Sequence, residues 1–305
     1  MLYDLSDDVQ FKAAQHTIIL PAGTVTHIDI TIRYIDMGEA NQGTILLMHG
    51  IPTWGFLYHA IIPKLVSAGY RVIAPDFLGH GWSDRRDRFD RSFQDQARMI
   101  RALLNALKIK KVDVVAHDTG GAVALILAIE SPKQVNRLVI CNSVCYDRFD
   151  DDMLDFGHPI RWNARPLSTL IEALEACLAE GLSNSDRLTP EFRQGIIAPC
   201  ASEEGKLSLL RNASALNANQ TMALVDRHSS ITAPTLILWG INDPWQKTED
   251  GQRLANEIPD AVFQPIENAS HWVPQDTPDE FMHAVLNFLT NTRSNLKDNI
   301  NNVIR

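Results

Sequence analysis

Apolar and polar residues do not keep one rhythm along this chain. The early pattern predicts strands over His16–Leu20, 27–37 and 44–50, and within the second of them Ile28-Asp29-Ile30-Thr31-Ile32-Arg33-Tyr34 alternates as a half-exposed antiparallel strand does. After residue 44 the texture changes to short unbroken apolar runs: Ile45-Leu46-Leu47-Met48, Val72-Ile73-Ala74, Val114-Val115-Ala116, Leu138-Val139-Ile140 and Leu236-Ile237-Leu238. Runs of this kind fit strands buried on both faces, as in a parallel sheet covered by helices. Between them, 56–68, 92–108 and 120–130 carry apolar residues at helical spacing, and a last helix is expected over 278–289.

The alternation stops between about 147 and 230, where polar residues mix with helix-like pieces (Leu167–Glu180, Pro190–Ile197 and 207–224) and no strand is legible. The expected organisation is an α/β core, mostly parallel sheet flanked by helices, built from 1–146 and 231–290 and interrupted by a helical lid at 147–230. The segment 291–305, rich in Asn with Ser and Lys, reads as a frayed or weakly helical tail.

Composition narrows the function. A chain of 305 residues suits one large domain, or a core with an inserted smaller one. The net charge of −9 leaves no excess of Lys and Arg for phosphates or anionic lipid, so neither a nucleic-acid nor a membrane partner is expected. No apolar run approaches the ~20 residues of a membrane helix, and the acidic start Met1-Leu2-Tyr3-Asp4-Leu5-Ser6-Asp7-Asp8 is unlike a secretory signal, so a cytoplasmic location is expected. Cys141, Cys145, Cys177 and Cys200 match no zinc or redox spacing. Neither metal nor cofactor is expected; oligomeric state is left open.

Chemistry enters with Val114-Val115-Ala116-His117-Asp118-Thr119-Gly120-Gly121. A buried strand, a tight turn and a helix start place Asp118 where a nucleophile elbow would carry serine. The plainer alternative makes Asp118 a helix cap. Met48-His49-Gly50-Ile51-Pro52-Thr53-Trp54 follows the preceding strand and would supply one oxyanion-hole N–H from Ile51, with the other from Thr119. Asp243 lies just beyond the strand at 236–238, in Gly240-Ile241-Asn242-Asp243-Pro244. His271, in Asn268-Ala269-Ser270-His271-Trp272, completes the order nucleophile, acid, histidine. Asp76-Phe77-Leu78-Gly79-His80-Gly81-Trp82-Ser83-Asp84 reads as a structural turn.

Together these motifs resemble the α/β-hydrolase superfamily, and within it the branch of haloalkane dehalogenases and epoxide hydrolases; the resemblance covers roughly 16–146 and 231–290. It implies a small-molecule substrate and a covalent ester on Asp118, later hydrolysed by water that His271, oriented by Asp243, activates. The chain departs from both specialists. Haloalkane dehalogenases place Trp after the nucleophile, where this chain has Thr119, and many place Asn where it has Ile51; fluoroacetate dehalogenases carry Arg after the nucleophile. Epoxide hydrolases use two lid tyrosines, and 147–230 contains none. Tyr146 and His158 are the candidate proton donors, Trp54 and Trp162 the candidate indole donors, and His49, His117 and Trp272 further candidate contacts. Arg161 and Arg165 would meet an anionic substrate or pair with acids such as those at 150–152. On this reading epoxide opening ranks slightly ahead of carbon–halogen hydrolysis, with an ester or lactone hydrolase, or a non-catalytic ligand-binding protein, as further alternatives.

Overall fold

The unbroken apolar runs lie side by side in a single sheet of eight strands: β1 (His16–Leu20), β2 (Ile30–Met37), β3 (Thr44–Met48), β4 (Arg71–Pro75), β5 (Val112–Asp118), β6 (Val135–Ser143), β7 (Thr235–Gly240) and β8 (Val262–Ile266). Their order is β1-β2-β4-β3-β5-β6-β7-β8. Pairings β1–β2 and β2–β4 are antiparallel, and all from β4 onward are parallel. The structure, a computed structural model, describes residues 5–149 and 151–290; the expectations for the 291–305 tail and for Asp150 lie outside them.

Burial on both faces explains the runs. Ile45, Leu47, Val115 and Val139 enter one core, whereas Leu46, Met48, Val114, Ala116, Leu138 and Ile140 enter the other. The helices Phe93–Ala106 and Thr119–Glu130 close the second core. Thr119–Glu130 is buried almost throughout and accordingly apolar all round. The helices Ile62–Ser67 and Pro278–Thr290 cover the first core.

Several element ends differ from the sequence expectation, each for a local reason. The second strand starts at Ile30, not 27, because Thr26 Oγ1 bonds both backbone polar groups of Ile28 and Asp29 Oδ1 accepts from Ala22 N, holding the approach as a turn. The helix expected over 56–68 divides into a 3₁₀ turn Gly55–Tyr58 and the helix Ile62–Ser67; Pro63, in its first turn, has no N–H to continue the earlier ladder. The piece expected over 207–224 becomes two helices, Glu203–Ser214 and Ala218–Met222, capped by Ser202 and Asn217. A short helix Asp8–Ala14, capped by Asp7, was not legible because Phe11 is its one buried residue and sets no periodicity. Between β6 and β7 the described residues form helices and turns without a strand. No helix among the described residues is long and apolar enough to cross a membrane.

The turn after β4 ties the sheet to its surroundings. Buried Asp76 accepts from Gly55 N (3.0 Å), Gln15 Nε2 (2.9 Å) and Trp82 N (2.8 Å). Burial raises its carboxyl to about 6, against the pull of those three bonds. Between its ordinary value of 3.8 and about 6 the folded state therefore holds a proton that the unfolded chain has released, and the stability of the fold declines as pH rises through that window. In urea titrations across it, the unfolding free energy of the wild type is expected to fall relative to Asp76→Asn and to level off above it. Two curves that stay parallel from pH ~4 upward would contradict this assignment.

Candidate functional site

The carboxyl ends of the parallel strands gather one group of polar residues. The loop after β3 brings Gly50 and Ile51, the end of β5 brings Asp118, the end of β6 brings Asn142, and the loops after β7 and β8 bring Asp243 and His271. A mostly parallel sheet exposes its ligand-binding crevice at this edge.

Asp118 sits at φ 54°, ψ −127°, a backbone conformation that non-glycine residues rarely adopt, between strand and helix. Strain of this kind costs about 1–3 kcal/mol and persists only where the surroundings hold it. The surroundings are tight. A Cβ at Gly50 would collide with the Asp118 carboxylate, and one at Gly120 with the His49 carbonyl. Asp118 Oδ1 accepts the Ile51 N–H at 2.8 Å, and the Thr119 N–H lies where it favours the ionised carboxylate. Burial pushes the carboxyl above its ordinary value, opposed by the His271 ring and by those two N–H groups. The other oxygen, Oδ2, lies 4.0 Å from His271 Nε2.

On its far side, His271 Nδ1 donates to Asp243 Oδ2 at 2.8 Å. That carboxylate is fully engaged: Oδ2 also accepts from Asn142 Nδ2 (2.8 Å), and Oδ1 from Trp245 N (2.8 Å) and Gln246 N (2.9 Å). Burial alone would raise the Asp243 carboxyl, but the His271 ring and these bonds outweigh it and hold the group below its ordinary value. Three aromatic rings enclose His271, with centroids at 4.4 Å (Trp272), 4.6 Å (His117) and 4.9 Å (Trp245). Asp118, His271, Asp243, Ile51 and Thr119 are thus brought together.

A cavity of about 340 Å³ opens above Asp118. Its wall is mainly apolar, including Val144, Phe149, Met153 and Leu216, with Trp245 and Trp272 near His271 and with Gln246 as a polar contribution. Among the described residues no Lys or Arg lines it. Among the described residues no group of three or more His, Cys, Asp or Glu could hold a metal ion, and all four cysteines are buried.

Of the other candidate contacts, Trp272 alone lines this cavity. His49 lies beneath it: its Nε2 accepts from Phe77 N at 3.0 Å, Nδ1 donates to the Gly50 carbonyl, and burial lowers the ring to about 4. His117 Nε2 donates to the His271 carbonyl at 2.8 Å; burial, then the neighbouring His271 ring, lower it to about 3. Trp54 Nε1 is committed to the Gly195 carbonyl (2.8 Å) and Trp162 Nε1 to Asp155 Oδ2 (2.9 Å). Tyr146 donates its hydroxyl to Glu257 at 2.8 Å, away from Asp118, and His158 is exposed ahead of a short helix. Arg161 pairs with Asp155, and Arg165 stacks on Trp162 at 4.4 Å, so neither reaches the cavity.

Sequence reasoning missed four residues. Trp245 closes the segment from Leu238 that carries Asp243 but had no role there, while Gln246, next to it, and Asn142, near the end of a strand already recognised, belong to no motif. The fourth, Asp276, is buried and accepts from Ser270 N (2.8 Å), Ser183 N (2.8 Å) and Asn184 N (3.2 Å), joining the His271 loop to the helical stretch between β6 and β7.

The packing of Gly50 against Asp118 yields a direct test. Gly50→Ala is expected to keep the far-ultraviolet circular dichroism of the wild type and to lower turnover about 100-fold on any substrate the wild type hydrolyses, since small misplacements of a reacting group cost that much. Steady-state kinetics within about twofold of wild type would show that Gly50 does not fix the carboxylate.

Comparison with known proteins accords with this architecture. The family model described as "alpha/beta hydrolase fold" matches residues 43–278. A haloalkane dehalogenase of Mycobacterium marinum is 26% identical over 292 residues, covering 92% of this chain and 95% of that protein. A 2-hydroxy-6-oxononadienedioate/2-hydroxy-6-oxononatrienedioate hydrolase of Dechloromonas aromatica is 26% identical over 278 residues, covering 86% and 92%. The crystal structure of an α/β-hydrolase fold protein from Burkholderia ambifaria superposes with a TM-score of 0.80 at 25% identity, covering 89% of this chain and all of that one. With the sheet order, the elbow at Asp118 and a match spanning most of its length, this chain belongs to the α/β-hydrolase fold family and is a hydrolase.

Proposed function

We propose that this hydrolase acts on small, neutral, largely apolar molecules through an ester formed on Asp118, and that carbon–halogen hydrolysis is its foremost reaction. The observation that carries the reading is the division of labour within one carboxylate: Oδ1 is held by the Ile51 N–H while Oδ2 is left toward His271. A carboxylate at neutral pH needs no proton removed before it attacks. Oδ2 displaces the leaving group from a saturated carbon, which departs with its bonding electron pair, and the product is an ester whose carbonyl oxygen is Oδ1. His271 Nε2 then takes a proton from water as that water adds to the ester carbon. Negative charge grows on Oδ1, where the Ile51 N–H already points, and the Thr119 N–H, also beside the carboxylate, would share in stabilising it. Asp243, held by four hydrogen bonds, stabilises the imidazolium. As the intermediate collapses, the departing alkoxide takes the proton from His271 and leaves as the alcohol, and the carboxyl left at Asp118 releases its own proton to solvent, which restores the carboxylate.

Two observations favour halide over epoxide as the leaving group. The relative in M. marinum is named a haloalkane dehalogenase. Among the described residues no tyrosine lines the cavity, and the hydroxyl of Tyr146 is engaged by Glu257, so none of them offers a phenolic acid to an opening epoxide. Epoxide opening, ranked first on sequence alone, becomes the second reading. Residues 147–230 serve in this scheme as a cap over the core formed by 1–146 and 231–290, supplying Phe149, Met153, Cys177 and Leu216 to the cavity wall.

His271→Gln should form the ester and fail to hydrolyse it. With a panel of short haloalkanes, epoxides and esters, intact-protein mass spectrometry of this variant is expected to show one adduct, lost when Asp118→Asn is added. Wild-type enzyme turning over in isotopically labelled water should carry label in Asp118. No adduct with any compound the wild type hydrolyses would sink the mechanism. Because the first step needs the anion and burial raises the Asp118 carboxyl, the rate of adduct formation should fall as the solution is acidified through a value above 3.8, seen in stopped-flow profiles.

A further inference from the structure

Gln246 is a buried polar side chain with no protein partner in a cavity built for chemistry. It is 4% exposed and lines the space above Asp118, yet neither end of its side-chain amide hydrogen-bonds to any described residue. Its backbone is fixed twice over. Its N–H donates to Asp243 Oδ1 at 2.9 Å, and its carbonyl accepts from Trp239 Nε1 at 3.0 Å. The amide is therefore presented by a rigid segment, and burying it without a partner is costly unless something else satisfies it. Trp272 Nε1, also without a partner among the described residues, is fully sealed from solvent, whereas Gln246 retains slight exposure on the cavity wall.

The rest of the wall says what that partner is. Among the described residues no Lys or Arg lines the cavity, and its carboxylate is the nucleophile, so these residues offer an anionic substrate repulsion and no countercharge. A neutral substrate with an apolar body fits the aliphatic and aromatic wall. In the ester-forming step the atom that most needs a donor is the one leaving as an anion, or as the alkoxide of an opened ring. Positions 51 and 119 carry no side chain with an N–H.

We propose that the Gln246 side-chain amide is the leaving-group subsite, its Nε2–H donating to the departing halide or oxygen as Asp118 Oδ2 forms the new bond. The proposal rests on the Asp118 ester reading. It makes Gln246 a catalytic residue for the first step with no part in the second, where water attacks the ester and the leaving group has gone.

The test separates the two steps. Adduct formation is timed by quenched-flow mass spectrometry in His271→Gln, with 1-bromobutane and 1,2-epoxybutane as probes, with and without Gln246→Met. Adduct formation is expected to slow about 10- to 100-fold in the double variant. Ester breakdown, followed after a single turnover in Gln246→Met alone, should match the wild type within about twofold. Gln246→Glu, isosteric and placing negative charge beside the leaving anion, should slow the first step at least as much, and it guards against a packing effect of Met. Equal adduct rates in parent and double variants, or slowing confined to ester breakdown, would overturn the subsite. An absence of adduct in the His271→Gln parent with every compound the wild type hydrolyses would overturn the ester reading and the subsite with it.

Discussion

The hydrogen bond from the Ile51 N–H to Asp118 Oδ1 is the constraint around which the rest of the site is arranged. It makes the two oxygens of one carboxylate unequal. Without it the side chain could turn, and neither the distance to His271 nor the direction of attack would be defined. Holding it demands the left-handed backbone at residue 118, the missing Cβ at Gly50 and the missing Cβ at Gly120 together. A parallel sheet supplies the means, because β3 and β5 are adjacent and in register, so the loops leaving them meet at the same edge.

A second layer fixes what the first cannot. His271 is held by Asp243 through Nδ1, by His117 through its own carbonyl, and by three surrounding rings. Asn142 and the N–H groups of Trp245 and Gln246 then saturate Asp243. Each donor aimed at Asp243 favours its ionised form, and this overcomes the burial that would otherwise protonate it. Asp118 has fewer donors against the same burial, and its carboxyl is displaced the opposite way.

The fold class and the positions of Asp118, Asp243 and His271 were legible because each depends on local order: an apolar run, a turn, and the sequence in which the strands occur. The candidate contacts were harder. Trp54 differs from a cavity-facing indole only because Gly195, 141 residues away, offers it a carbonyl. Tyr146 is removed by Glu257, and His117 by the backbone of His271. Such partners are decided by tertiary neighbours that no local pattern encodes. Gln246 was overlooked for the converse reason: an unremarkable amide acquires meaning when its backbone is fixed and its side chain, buried on the cavity wall, has no partner among the described residues.

Asp276 ties the backbone at 183–184 to the backbone at Ser270, and the Gly181 carbonyl accepts from Trp272 N at 3.0 Å. The helical stretch and the histidine loop are thereby one mechanical piece along that edge. Phe149, Met153 and Leu216 line the same cavity with apolar side chains. A carboxylate gripping three N–H groups resists displacement more than apolar packing does, so the wall beside His271 is the stiffer part of this cavity.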